Sequence, residues 1–580
     1  LFLRDSTNVL DLTERYFGLR NSPFKYYVDD DSTVSNVYCT LPGNDDNFGF
    51  DVDIPKRTLQ DLLGSIDIEP TDHVYIDTGL YVLEDTNNPI VWGSGDGGAP
   101  GQAIEVFGSP NGSWFDAPDD FAPIGSERAF FYMNASYVNL RHLRFRGESL
   151  IFRGSGLVIS NVVVTNRAGG ASVSLSVRGD GTRMKDLQID RSGLTLSGLS
   201  NRVERMRQRW GETTIVGTNA TLVNSAILTT NANRTGIVVN AAYSIVSNCT
   251  VLATRGTAVG KLGAFTLRLG HSVLVAGGTN DNNAVIAWVD GDLMSDWNNL
   301  WAENSAWLGI RHGKWEKLAF WQAVSGQDAN SVSFDPKFQN RLTGDLHLNS
   351  AGGRWSPIRF EAGMDPWDYA DTETSPLVDL GNPWIGAGAE ASLLWGYRIN
   401  LGAYGGTDQA SKSPTNFWLT ALSHNDGGVV KGSNVVLRWA AGNVSTQATV
   451  ALQYSTNGVD WVAIATGQPT TVGYYEWDTT GLDGFNVWWR VVAEDGSGVA
   501  DATDGPFAVR NTAQNFYVGD DDIFDNVFCF EPGSAAFDGL TPNTPKASLQ
   551  QILDQYDLEG GDVVYVDTGT FSADADIRVN

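Results

Sequence analysis

The sequence predicts an all-β chain: a parallel β-helix, then an antiparallel β-sandwich, then the start of a second β-helix. Three observations carry that expectation. A block of residues recurs 490 positions later without a gap, a polar position returns at the length of one solenoid coil between 142 and 271, and residues 411–511 alternate like half-buried strands.

The repeated block is the strongest of these. Tyr27-Val28 returns as Tyr517-Val518, Asn36-Val37-Tyr38-Cys39 as Asn526-Val527-Phe528-Cys529, and Asp77-Thr78-Gly79 as Asp567-Thr568-Gly569. Chance does not hold one register over about fifty residues, and duplication does. Within each copy the pattern reads as an extended start, a polar loop, a short helix and an alternating strand. The helix spans Leu59–Leu63 or Leu549–Leu553, with Thr58 or Ser548 as N-cap. A helix ahead of the first coil covers the open edge of a stacked sheet. The second copy reaches little past its Asp-Thr-Gly, and Phe2-Leu3-Arg4 resembles Phe507-Ala508-Val509-Arg510. The expected organisation is therefore a piece of a tandem array. It comprises a linker with the end of a preceding sandwich (1–25), a β-helix with its N-terminal cap (26–410), a sandwich (411–511), and the cap and first coil of the next repeat (512–580).

The coils follow from a ladder. His142, Asn161, Asp186, Arg205, Asn224, Asn248 and His271 each follow an apolar residue two positions earlier and are separated by 19, 25, 19, 19, 24 and 23 residues. Alternation turns the apolar neighbours inward and leaves the polar residue at a bend between strands. A propeller would need roughly 40 residues per unit, so it fits less well.

The cap residues Tyr26-Tyr27-Val28, Pro42-Gly43-Asn44, Leu59-Gln60 and Val74-Tyr75-Ile76-Asp77-Thr78-Gly79 resemble the N-terminal cap of the pectate-lyase-like right-handed parallel β-helix superfamily. Trp297–Trp301, Asp335–Phe338, Gly344–Leu348, Ser375–Asp379 and Arg398–Gly406 resemble its C-terminal coils. The combination resembles the β-helix modules of very large secreted or surface bacterial proteins, which implies an extracellular or cell-surface location. The resemblance is specific for fold and weak for activity, because one fold hosts many functions. In the sandwich, Trp439 followed by Tyr454 without a cysteine pair resembles an immunoglobulin or fibronectin III-like module, and Asn457-Gly458 signals a hairpin. Such a module serves as a spacer or binds through its loops.

Composition narrows the partners. With 39 basic and 68 acidic residues the net charge is −29, which disfavours nucleic acid and anionic membranes and favours a soluble, salt-exposed or calcium-containing setting. No apolar run reaches the roughly 18 residues that span a bilayer. The three cysteines, Cys39, Cys249 and Cys529, are too few and too widely spaced for a disulfide framework or a metal cluster. They read as small buried apolar residues.

Four features bear on chemistry. Asp29, Asp30 and Asp31 with Asp45 and Asp46 form a carboxylate cluster in the cap, read either as a structural calcium site or as a solvated acidic loop. Calcium takes six to eight oxygens, and the spacing matches no EF-hand. Between Arg141 and Arg209 lie twelve arginines, Lys185 and five acids. Of these, Arg144, Arg146, Arg205, Arg207 and Arg209 define a basic face for a polyanionic glycan or for the acidic surface of a neighbouring copy, or are simply solvated. For polysaccharide cleavage, Asp186, Asp190, Asp290 and Asp292 would supply carboxylates and Arg205 or His271 a base. No compact motif marks them, and no catalytic residue is assigned. Ten of the nineteen tryptophans fall between Trp288 and Trp395, as sugar platforms or, more simply, as packing. The leading expectation is a structural repeat segment of a fibre, stalk or sheath that associates with other copies of itself and requires no cofactor. The alternatives are a polysaccharide lyase or hydrolase and a glycan-binding adhesin.

Overall fold

The computed structural model describes residues 23–118, 127–167, 174–278, 280–390, 398–571 and 577, with the backbone alone of 3–4, 10–11 and 173. The expected N-terminal linker falls almost wholly outside these residues, as does Trp395. The chain divides into two compact units, Leu1–Met184 and Lys185–Asn580.

In the first unit, strands of three to five residues pair in parallel along three sheets. The first sheet stacks 25–28, 73–76, 104–108, 138–141 and 158–160. The second stacks 79–82, 113–116, 143–146 and 163–165, and the third 90–92, 131–133, 150–152 and 173–177. Each turn of the chain thus contributes one strand to each sheet, which is a parallel β-helix. Like side chains pile up inside it: Tyr81, Phe115 and Phe145 stack at 5.2 and 5.6 Å. A short helix, Leu59–Ser65, lies in the cap, with Leu59 and Leu62 buried and the Thr58 hydroxyl accepting from the Asp61 N–H. It runs two residues beyond the expected end.

The second unit repeats the pattern. Its second sheet stacks 188–190, 207–209, 226–229, 250–253, 273–276 and 299–302, flanked by first-sheet strands from 202–204 to 293–296 and third-sheet strands from 192–196 to 307–310. All seven ladder residues sit at bends with φ between +47° and +59°. That left-handed conformation is tolerated best by Asn and Asp and costs other side chains roughly 1 kcal/mol. The ladder is therefore a backbone requirement, which explains why Asn or Asp fills four of its seven positions.

Strict alternation fails in several strands, among them three of the second sheet. Strands 226–229, 250–253 and 273–276 are buried on both faces. The outward Leu228, Leu252, Val273 and Val275 are covered by Phe334, Phe338, Leu346, Leu377 and Leu401 from the segment that follows the coils. Beyond it, strands 418–421, 435–442 and 474–477 form one antiparallel sheet and 449–455, 462–469, 483–493 and 507–510 build another. Leu437, Trp439, Leu452, Trp477, Trp489 and Val491 form their shared core. Residues 449–455 and 462–469 pair as the hairpin expected around Asn457-Gly458. The second copy of the cap follows, with strand 515–518 paired in parallel to 563–566 and helix Leu549–Gln555 capped by Ser548. The three cysteines are buried and free.

The covering segment holds acids that ionise late. Asp379 is buried with one oxygen on the Ser413 hydroxyl at 2.6 Å, and burial pushes its carboxyl up to about 7. Burial likewise pushes Glu390 up to about 8, although the N–H groups of Gly406 and Asn400 pull the other way. In the first unit burial raises Asp29 to about 7. Carboxyls in the unfolded chain titrate near 4, so it sheds these protons first and stability falls as pH rises from about 4 to about 8. The thermal midpoint is accordingly expected to rise on moving from about pH 8 to about pH 5. Asp379→Asn with Glu390→Gln should flatten the profile measured by calorimetry, and a flat profile in the unaltered chain would contradict the assignment.

Candidate binding site

The second sheet carries the predicted basic residues except Arg205, which sits at the bend before it, and the structure gives most of them acidic partners. In the first unit Arg144 lies in register with Trp114 and Arg146 with Asp116. Arg146 grips Asp116 through Nε and Nη2 at 2.9 and 2.6 Å, and Arg167 reaches the same carboxylate at 2.7 Å. Burial alone would raise Asp116, but the two guanidinium groups outweigh it and hold the carboxyl below its usual range. The Arg144 guanidinium instead lies over the Trp114 ring at 5.5 Å.

In the second unit Arg209 holds Asp190 at 2.7 and 2.9 Å, and Arg205 holds Asp186 at 2.6 and 2.5 Å. Both pairs span one coil of 19 residues. Such bidentate pairs fix geometry and cancel local charge. The basic face is therefore mostly an ion-pair ladder. Arg207 differs: it is exposed, faces Gln188 and has no ion pair among the described residues.

Arg207 borders a pocket of about 210 Å³ lined also by Gln188, Asn224, Tyr404, Thr407 and Gln409, with the Asp186–Arg205 pair at its edge. The Tyr404 ring stacks on His347 at 3.5 Å, and His347 Nδ1 meets Asp345 Oδ1 at 2.6 Å. Burial keeps His347 neutral by lowering its pKa against the pull of Asp345. Burial raises Tyr404 to about 12 despite the nearby Arg207. Its hydroxyl is thus a donor and a poor base at neutral pH. The pocket can hold an anionic or hydroxyl-rich group.

The other candidates are kept apart. Asp290 and Asp292 are exposed in the turn between third-sheet and first-sheet strands, whereas Asp186 and Asp190 flank the second sheet and are already paired. His271 occupies a left-handed bend and is lowered by burial. Of the tryptophans, Trp321 is fully buried and Trp288 and Trp307 nearly so, as packing requires, whereas Trp384 is 89% exposed.

The acidic loop of the first cap resolves into separate locks. Asp29 accepts from the Asn36 side chain at 2.6 Å. Asp30 accepts from the N–H of Ser32 and of Leu80, both at 2.9 Å, and Asp45 from the N–H of Arg57 and of Thr58, both at 2.9 Å. Asp31 and Asp46 are exposed. Among the described residues, three acidic groups come within 4.8 Å of one another only at Asp520, Asp521 and Asp522 in the second cap. His347 and Tyr404 lie in stretches read from the sequence only for fold, and with Gln409 they reach the second sheet by way of the covering segment.

No protein-family profile and no curated protein matches the sequence. Among solved structures the chain is similar to a rhamnogalacturonan lyase (16% identity, TM-score 0.38, covering 53% of this chain and 87% of that one). It is similar also to the pectate lyase Pel9A (12% identity, TM-score 0.38, covering 66% of this chain and 96% of that one). At this distance the assignment of a parallel β-helix rests on the strand pairing itself, and nothing about activity follows.

Proposed function

We propose that the chain is a structural segment of an extracellular or cell-surface protein, in which β-helix and sandwich modules alternate in series and the partner is another copy of the same module. One observation carries this reading: the second cap is locked onto the sandwich before it. Arg510, at the end of the last sandwich strand, donates to both oxygens of Asp562 at 2.7 and 2.9 Å, and both side chains are 2% exposed. Phe485 of the sandwich packs on Phe516 and Tyr556 of the cap, with Tyr556 at 4.8 Å. A flexible linker would carry polar, solvated residues instead.

The first cap repeats the receiving half. Asp72 accepts from the N–H of Phe24 at 2.8 Å and of Glu69 at 3.0 Å, as Asp562 accepts from Gln514 and Glu559. On this reading the sandwich, immunoglobulin or fibronectin III-like, is a spacer, and no cofactor is required. The tied-up carboxylates and the high pKa of Tyr404 speak against catalysis. A second reading, binding of an acidic glycan, is favoured by Arg207 and Arg144, which lack carboxylate partners among the described residues. Incubation with pectin and alginate separates these readings from a lyase. No unsaturated product is expected, and its steady appearance would overturn the structural assignment.

A further inference from the structure

Where the covering segment meets the antiparallel sheets, the second unit contains a cavity of about 610 Å³ that the structural reading does not use. Its walls are of two kinds. Trp301, Phe334 and Trp418 supply flat apolar surface, and Asp335, Glu373, Asp501 and Asp504 supply carboxylates. Lys337 is the one cation in the described lining, and its Nζ lies 3.8 Å from Asp335 and 3.6 Å from Glu373. It offsets that pair and draws on Asp504 as well, while Asp501 accepts from the Ala421 N–H at 2.8 Å. Burial raises Asp501 to about 6, and the charge of Asp504 adds to the shift. Asp504 is itself raised, first by burial, with Asp335 adding against the pull of Lys337. Trp418 can stand at the wall because Gly442 lies behind it: a Cβ there would come within 2.4 Å of the indole.

We propose that this cavity binds an organic cation, a primary ammonium or a guanidinium carried on an apolar stem. An anion would meet four carboxylates, and a neutral ligand would leave their repulsion in place. A bare metal ion would make no use of the indoles, and among the described residues the cavity's carboxylates do not converge on one point. A stemmed cation satisfies both kinds of wall. Its charge is attracted to an indole face and to Asp501 and Asp504, and its stem lies against Phe334 and the rings. The volume falls within the range of small-molecule sites, about 300–1,000 Å³.

Calorimetric titration of the whole chain with spermidine and with agmatine, near neutral pH and at low salt, tests this. The first carries three ammonium groups and the second one ammonium and one guanidinium, so saturable binding by either meets the proposal. Saturable binding is expected, with glucose giving none. Asp501→Asn with Asp504→Asn should weaken it about tenfold or more. Lys337→Asn, which suits the left-handed backbone at φ +52°, should tighten it by about threefold, because it removes the competing charge. Absence of saturable binding by either amine overturns the proposal, as does a double variant that folds and binds equally well. Should the double variant not fold, an unchanged affinity in Lys337→Asn overturns it as well.

Discussion

Arg510→Ala is expected to destabilise the joint between the sandwich and the second cap by about 3–5 kcal/mol, because it leaves the Asp562 carboxylate buried without its counter-charge. Asp562 would keep only the N–H groups of Gln514 and Glu559, each at 2.8 Å. Two backbone donors do not replace a guanidinium whose Nη2 meets both carboxylate oxygens at a site where both partners are 2% exposed. Hydrogen exchange at 515–518 and 563–566 should quicken by roughly two to three orders of magnitude. Removing both charges together, as Arg510→Met with Asp562→Leu, should cost far less, since the desolvation penalty disappears with them. The neighbouring Lys431–Glu559 pair, at 2.8 Å with the lysine 60% exposed, should contribute under about 1 kcal/mol. Equal effects from Lys431→Ala and Arg510→Ala would show that the buried pair is not what closes the joint.

Asp77→Ala is the second large effect. The Asp77 carboxylate is fully buried and receives the N–H groups of Val37, Tyr38, Cys39 and Thr78 at 2.7, 2.7, 2.5 and 2.7 Å. It ties the 36–39 loop to the end of the first coil. Charge-assisted bonds contribute roughly 1.5–3 kcal/mol each and do not sum, so a loss of about 4 kcal/mol or more is expected, confined to the first cap. Asn should rescue only part, because its amide hydrogens would face N–H groups. Asp31→Ala, on the same loop but exposed, should change stability by less than about 0.5 kcal/mol. Denaturant unfolding followed by hydrogen exchange in the cap would separate the three variants. Asp567 does the same work in the second copy. Burial would raise it, but four backbone donors win and hold its carboxyl at about 2. A depressed carboxyl stabilises above pH 4 and loses that contribution as pH falls toward 2. This window lies below that of Asp379 and Glu390.

The winding was legible because it is written in local periodicity. Apolar alternation and the coil-length ladder both reflect backbone geometry, and the left-handed bends at Asn161, Asn224 and Asn248 are the physical reason the ladder repeats. The duplicated block was legible for a similar reason. Asp77 and Asp567 each satisfy a loop of N–H donors that only a carboxylate at that position can reach. The site was not. Arg205 and Arg209 read as surface charge in sequence, although each stands one 19-residue coil after the acid that neutralises it, Asp186 or Asp190. The apolar residues Leu228, Leu252 and Val275 face outward and carry no sequence mark that sets them apart from inward ones. They are the footing for a segment more than 60 residues further on. Coverage by distant chain is a tertiary fact, and periodicity carries no trace of it.

The central claim is that sandwich and second cap form one fixed joint. A distance between spin labels at Val459→Cys and Asp554→Cys measures this most directly. Both positions are exposed, and the three native cysteines are buried. A single narrow distribution is expected in the otherwise unaltered chain, and it should broaden in Arg510→Ala. A broad distribution before any change at Arg510 would contradict it.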